Sequence, residues 1–360
     1  MAIYKCKVCA GTLEVSENQT TATNAIFKFV PDFEGGIYEV NITGFEYESF
    51  GVTKSIAIEN NFSDSILIMG SIGIESINEE NNNTYIVKNK DNYLNIEINN
   101  PTGYQVTKIV INDMEYLQNE INMIDNNLLR VKVKGYIYDS NYYEVKSITY
   151  GMEGYDFTTK TISGIKVTLY GVNSDEIRYI STIEALQNLV DGYVYELTND
   201  INADGFKWVP YEFRGVLLGN NYVISNLSIV IENESENVQY YGLFSKLSYG
   251  LIDSLGLVDA YISIKTLGIA YVGGLVGESY SSISNSYVSG TTITVTSKSD
   301  AYVGGLVGNS SSSGSISNSY VSGTTITVTT ESYANVGGLV GYSYSSISNS
   351  YVSGTTITVT

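Results

Sequence analysis

The sequence predicts an all-β protein: a right-handed parallel β-solenoid (β-helix) over residues 173–360, preceded by Ig-like β-sandwich modules, with one capping helix near 181–190. Three observations carry this. Near-identical blocks recur about 31–33 residues apart through the C-terminal half, the signature of stacked coils. Short apolar–polar alternations broken by Asn- and Gly-rich turns fill residues 24–172. Between the two lies a single amphipathic helix signal.

Composition narrows the function before any motif is read. The 360 residues carry 38 acidic and 19 basic side chains, a net charge of −19. Phosphate backbones need Lys and Arg, so nucleic acid is not an expected partner. There is no histidine. Ser-His-Asp and Cys-His catalysis, His-ligated zinc and imidazole proton shuttles are therefore excluded. The expectation is a protein that is not an enzyme.

Residues 1–23 hold Cys6-Lys7-Val8-Cys9, similar to one knuckle of a zinc ribbon. Structural zinc takes four ligands, and neither a second CxxC nor a histidine is present. The pair is read as an unoccupied knuckle, a zinc site shared between chains, or a reactive thiol pair. No cofactor is expected unless zinc binds at Cys6 and Cys9. The purified chain should hold less than one zinc at micromolar metal. Stoichiometric tetrahedral zinc by X-ray absorption, lost on Cys6→Ser, would show a working site.

Residues 24–100 and 101–172 read as two β-rich modules, the second Ig-like, divided near Asn100. Leu129, Val131 and Val133 alternate with Arg130, Lys132 and Lys134, which puts apolar side chains on one face and cations on the other. Val106–Ile111 is apolar on both faces, and Tyr143–Ile148 alternates again.

At 181–184, Ser-Thr-Ile-Glu fits a capping box with Ser181 accepting from the Glu184 amide. Ile183, Leu186, Leu189 and Val190 then fall on one helical face, suited to covering the open end of the first coil.

The coils are predicted near 215–240, 241–270, 271–301, 302–334 and 335–360. Val272–Gly277 recurs at Val303–Gly308 and Val336–Gly341, and Ile283–Thr296 recurs at Ile316–Thr329 and Ile347–Thr360. One coil cannot bury its own apolar face, so stacking makes ladders. Ile224, Ile252, Ile283, Ile316 and Ile347 are expected as an inward aliphatic ladder. Asn226, Asn285, Asn318 and Asn349 are expected as an Asn ladder bonded amide to amide, with Ser254 as its gap. Tyr287, Tyr320 and Tyr351 should stack.

The second half resembles the GLUG-motif repeats of bacterial surface proteins, including the solenoid region of streptococcal IgA1-protease-type surface proteins. Gly-Gly-Leu-Val-Gly at 273–277, 304–308 and 337–341 carries the resemblance. So does the lead-in: Tyr195–Ile201, Trp208-Val209-Pro210, Phe213-Arg214-Gly215, Gly219–Leu227 and Gly242-Leu243-Phe244. It covers about half the chain and implies a surface-exposed solenoid. The protease branch of those proteins carries its chemistry in a separate zinc domain with an HExxH helix; without histidine, that activity is not carried over.

Two surfaces are candidate binding faces. Thr292, Thr294, Thr296, Thr325, Thr327, Thr329, Thr356, Thr358 and Thr360 would point outward as a flat hydroxyl-and-methyl array. Thr is also a good exposed strand residue, and the array can be no more than that. Tyr280, Tyr342 and Tyr344 suit sugar or protein contact, or equally coil packing. Asp200, Asp204, Asp253 and Asp259 lie near the first coils, with no spacing that pairs them for acid–base work.

The functional expectation is a surface-displayed adhesin-like or stalk protein binding glycan or protein. The alternatives are a polysaccharide-active β-helix enzyme, a phage tail-fibre-like receptor binder and, through the Thr-x-Thr rows, an ice binder. The expected location is the cell surface, the extracellular space or a virion. No secretory signal is visible at the start, and no stretch is long enough to span a bilayer. The last residue, Thr360, ends a repeat strand, which raises the expectation of a longer parent protein or of end-to-end self-association.

Overall fold

The structure, a computed structural model, describes residues 72–100, 103–134, 142–151, 153 and 157–360 with their side chains. It also describes the backbone of 140–141 and of strands Gly11–Val15, Phe27–Pro31, Gly36–Ser49 and Val52–Ile68. Two compact units result: residues 1–80, 93–132 and 143–167 form one, and 81–92, 133–142 and 168–360 the other.

The first unit is antiparallel. Gly73–Glu79, Tyr93–Asn99, Leu128–Lys132 and Ile121–Asp125 form one four-stranded sheet. It draws strands from both sides of Asn100, so the boundary predicted there falls inside a sheet. The Asn100 side chain is buried and holds a turn, accepting from Tyr104 N and donating to Tyr104 O, both at 2.9 Å. A buried, bonded turn is a connection within a module, not a linker. Leu129 and Val131 are buried while Arg130 and Lys132 face out, as alternation requires. In the second group, the strand ending at Gly151 pairs with Gln105–Ile111, with a bulge between Val145 and Ser147. The bulge lets Val145 and Ile148 both point inward.

The second unit is a parallel β-solenoid of five faces, visited in a fixed order by each full coil. Face 1 stacks Ile177–Ile180, Val194–Leu197, Val216–Leu218, Leu251–Asp253, Ser282–Ser284, Ser315–Ser317 and Ser346–Ser348. Face 2 runs from Ile201–Asn202 to Tyr351–Ser353, face 3 from Ser228–Asn233 to Thr356–Val359. Face 4 runs from Gln239–Tyr241 to Ala334–Gly337, and face 5 from Tyr211–Phe213 to Val340–Ser343. One continuous apolar core runs up the middle.

Leu217, Ile252, Ile283, Ile316 and Ile347 pair in register on face 1. Ile283 and Ile316 are sealed, and Ile347 in the last coil is 44% exposed. Ile224 does not belong to this column: it sits on face 2, beneath Leu257 and in line with Val288, Val321 and Val352. Gly219-Asn220-Asn221-Tyr222 fills the first corner of that coil and moves the Ile-Ser-Asn text one face onward.

The cap also differs from the predicted box. The helix spans Ile183–Gln187, and Thr182, not Ser181, is its N-cap, accepting from Ala185 N at 3.2 Å. Asn188 closes it, so Leu189 and Val190 lie beyond the last turn; Val190 is exposed. Ile183 and Leu186 join the core with Trp208, whose Nε1 donates to Leu243 O at 2.7 Å.

A second apolar cluster lies outside the coils. Tyr85–Val87 pairs in parallel with Tyr170–Val172, and Val87, Tyr170 and Val172 pack on Val194, Val216 and Leu251. Those three belong to one outward column of face 1, which continues as Ser282, Ser315 and Ser346. The column is apolar where it is covered and hydroxylic beyond the cover.

Candidate functional site

The corners decide what the faces can display. Asn285, Asn318 and Asn349 adopt φ of 49°, 49° and 48°, the left-handed region that Asn tolerates. No hydrogen bond joins their amides; Asn285 Nδ2 donates instead to Asp253 Oδ1 at 2.8 Å. The expected amide ladder is thus a ladder of backbone conformation. Asn226 stands apart from it, one corner on, in line with Asp259, Gly290, Gly323 and Gly354. Serines supply the coil-to-coil bonds. Ser286, Ser319 and Ser350 accept the amides of Leu255, Ser286 and Ser319 from the preceding coil. Each also donates to the carbonyl two residues back in its own coil. A buried corner amide without such a partner would carry a desolvation cost.

With the corners satisfied internally, the outward side chains are free to repeat. On face 3, Thr292–Thr325–Thr356, Thr294–Thr327–Thr358 and Thr296–Thr329–Thr360 form three in-register columns. The coil before them carries Tyr261, Ser263 and Lys265 at these positions. Thr329 and Thr360 share a 3.0 Å hydroxyl bond.

Face 2 carries Tyr287, Tyr320 and Tyr351 in one column. Their rings stack at 4.8 Å and 5.1 Å, with interplanar angles of 1° and 5°. A second column went unread in the sequence: Tyr240, Tyr271 and Tyr302 on face 4, stacked at 5.3 Å and 4.6 Å. The signal was present, since Tyr271 and Tyr302, one repeat period apart, each stand immediately before a Val-Gly-Gly. In both columns the ring faces are used on one another, so the edges and hydroxyls are what solvent sees.

Beside the second column, face 5 aligns Lys246, Glu278, Asn309 and Tyr342. Lys246 Nζ lies 3.1 Å from Glu278 Oε2 and 3.9 Å from the Tyr240 ring centroid. Burial alone would depress the Lys246 amine; the Glu278 carboxylate more than offsets this and holds it raised. Tyr280, tied to the same carboxylate, and Tyr344 lie at the edge of this face. Tyr342 Oη donates to Tyr344 Oη at 3.0 Å.

Burial, then the neighbouring phenol of Tyr302 and the Glu278 carboxylate, push Tyr271 up to about 12. Tyr320 is raised by burial and by Tyr287 and Tyr351 on either side. Such phenols contribute stability that is complete below the unfolded value near 10 and lost as pH rises through the folded value. Alkaline titration should therefore show ionisation of Tyr271 and Tyr320 delayed beyond about pH 10 and coupled to loss of β signal by about pH 12. Full ionisation near pH 10 with the β signal intact would contradict the stacked columns.

The remaining candidates are not brought together. Asp253 is saturated by Ser284 Oγ at 2.5 Å and Asn285 Nδ2 at 2.8 Å on one oxygen, and by Ser254 Oγ at 2.8 Å on the other. Asp200 Oδ1 accepts the Val223 amide at 2.8 Å. Among the described residues no three His, Cys, Asp or Glu side chains gather to hold a metal. Cys6 and Cys9 lie outside the described residues. No helix among those residues is long and apolar enough to cross a membrane.

The geometry defines a class: a parallel β-solenoid whose coils differ in a few outward positions. The GLUG motif matches residues 268–294, 299–327 and 332–358, so the chain carries three GLUG repeats, and they are the coils bearing the threonine columns. A 149-residue stretch, 40% of the chain, is 27% identical to the chloroplastic NAD(P)H-quinone oxidoreductase subunit 5 of Dioscorea elephantipes and covers 19% of that protein. The chain thus spans under a fifth of that relative's length. Among solved structures, an IgA1 protease aligns with 91% of this chain and 28% of its own, at 10% identity and a TM-score of 0.18; at that score the likeness carries no argument.

Proposed function

We propose that the chain is a non-enzymatic, surface-displayed adhesin-like or stalk protein whose solenoid binds a glycan or protein on another surface. One observation carries this reading: the outward columns present the same uncharged hydroxyl and phenol groups once per coil, at one rise of about 4.8 Å. Such a surface offers repeated weak contacts that add through avidity. The likeness of the repeats to those of bacterial surface proteins supports display outside the cell or virion. The test uses an antibody raised against residues 268–358. It should label intact producing cells or virions, and the full chain should be retained on a glycan or surface-protein array. Labelling confined to permeabilised cells would refute surface display.

A further inference from the structure

On the edge of face 5, the amides of Tyr280, Ser311 and Tyr344 bond to the carbonyls of Leu247, Ser279 and Ser310, so these residues occupy one column. Tyr280 and Tyr344 are thus two rungs apart, and the rung between them holds a serine. Elsewhere in this solenoid adjacent tyrosine rungs stack at 4.6 Å to 5.3 Å. A separation of two rises, about 9.6 Å, leaves room for one more ring between two aromatic walls. Both walls are open, at 40% and 68% exposure; Lys246 Nζ lies 6.0 Å from the Tyr280 ring centroid, and Tyr342 Oη bonds to Tyr344 Oη. This coil also has a two-residue excess beside the empty rung. Ser312 and Ser313 are exposed in a turn closed by Gly314 N to Ser311 O at 3.0 Å. On the neighbouring column the same coil holds Asn309, whose carbonyl oxygen is buried without a donor.

Resting on the binding role proposed above, we infer that this vacant rung between Tyr280 and Tyr344 is a subsite for a neutral pyranose ring. The perimeter chemistry selects the occupant. A sugar ring offers C–H faces to both tyrosines and hydroxyls all round its edge for Ser311, Ser312, Ser313 and Asn309. A partner's aromatic side chain offers the faces but a C–H edge, which would strip water from those hydroxyls and return nothing. Charge agrees, since Lys246 and Glu278 neutralise each other beneath Tyr280.

The full chain is tested on an array of neutral and anionic oligosaccharides, with methyl glycosides of glucose, galactose and N-acetylglucosamine as soluble competitors. Wild type should bind neutral glycans. Ser311→Tyr, which fills the rung, should lose at least ten-fold in binding while melting no lower than wild type. Tyr344→Ala should lose as much with its β content unchanged, and this second variant decides the matter if the first fails to fold. Glu176→Gln, an exposed change outside the threonine and tyrosine columns, should bind as wild type does. Glycan binding that persists in both rung variants overturns the subsite and leaves the binding role standing. A wild-type chain that binds no neutral glycan also overturns it, while the antibody test separately decides surface display.

Discussion

Ile316→Asp is expected to abolish the distal coils while sparing the first ones. Ile316 is fully buried, with Ile283 below and Ile347 above, and no cation lies in its column. A carboxylate there either stays charged and unpaired, at several kcal/mol, or takes up a proton at comparable cost. The aliphatic contact is lost as well, another ~2–4 kcal/mol. Because each coil contacts only its neighbours, the damage should spread from the break toward Thr360 and leave coils nearer the Ile183–Gln187 helix protected. Hydrogen exchange would map this. Thr327→Asp, outward on face 3, should stay within about 0.5 kcal/mol of wild type. An Ile316→Asp chain with unchanged β content and melting curve would refute the register of face 1.

The second large effect concerns two glycines that look alike in the sequence. A Cβ at Gly304 would lie 2.1 Å from Val307 O, 2.7 Å from Gly341 N and 2.8 Å from Leu339 O. All three are backbone atoms of the fold-back from face 4 to face 5, Val307 in the same coil and Leu339 and Gly341 in the next, so Gly304→Ala must pry the stacked turns apart and should cost about 3 kcal/mol. Gly323 has φ +58° and nothing nearer than 3.9 Å. Gly323→Ala should cost about 1–2 kcal/mol from the left-handed backbone alone. Gly323→Asn should be close to neutral, because Asn226 and Asp259 hold the same column at φ 57° and 52°. Equal losses for both Ala variants, read by chemical denaturation, would contradict the assigned roles.

The repeat period and the alternating apolar positions sufficed to predict the solenoid, because stacking needs only a recurring inward stripe. Register was legible where coils are near copies, at Ile283, Ile316 and Ile347. It failed at Ile224 and Asn226 because each coil uses the same short pattern at two successive corners: an outward residue, an inward apolar one, a serine and a left-handed turn residue. Ser-Ile-Ser-Asn at 282–285 and Tyr-Val-Ser-Gly at 287–290 are variants of one unit. Text alone does not say which corner a diverged copy occupies; backbone pairing does. The apolar outward column Val194, Val216 and Leu251 was illegible for another reason. Its cover comes from Val87 and Val172, distant in sequence and without a repeat to announce it. The Tyr280–Ser311–Tyr344 rung becomes visible only once the corner excess at Ser312-Ser313 is placed.

The account rests on adjacent coils stacking with Thr294 beside Thr327 and Thr327 beside Thr358. Directly paired residues of neighbouring parallel strands lie about 4.8 Å apart, within the Cα separation of about 4.4–6.8 Å that a disulfide accepts. Residues two coils apart, at about 9.6 Å, lie beyond it. In a Cys6→Ser, Cys9→Ser background, the pair Thr294→Cys with Thr327→Cys should oxidise to an intramolecular disulfide under mild conditions, found by mass spectrometry in the monomer. The pair Thr294→Cys with Thr358→Cys should stay reduced. A disulfide between 294 and 358, or none between 294 and 327, would contradict the stacked register on which every column described above depends.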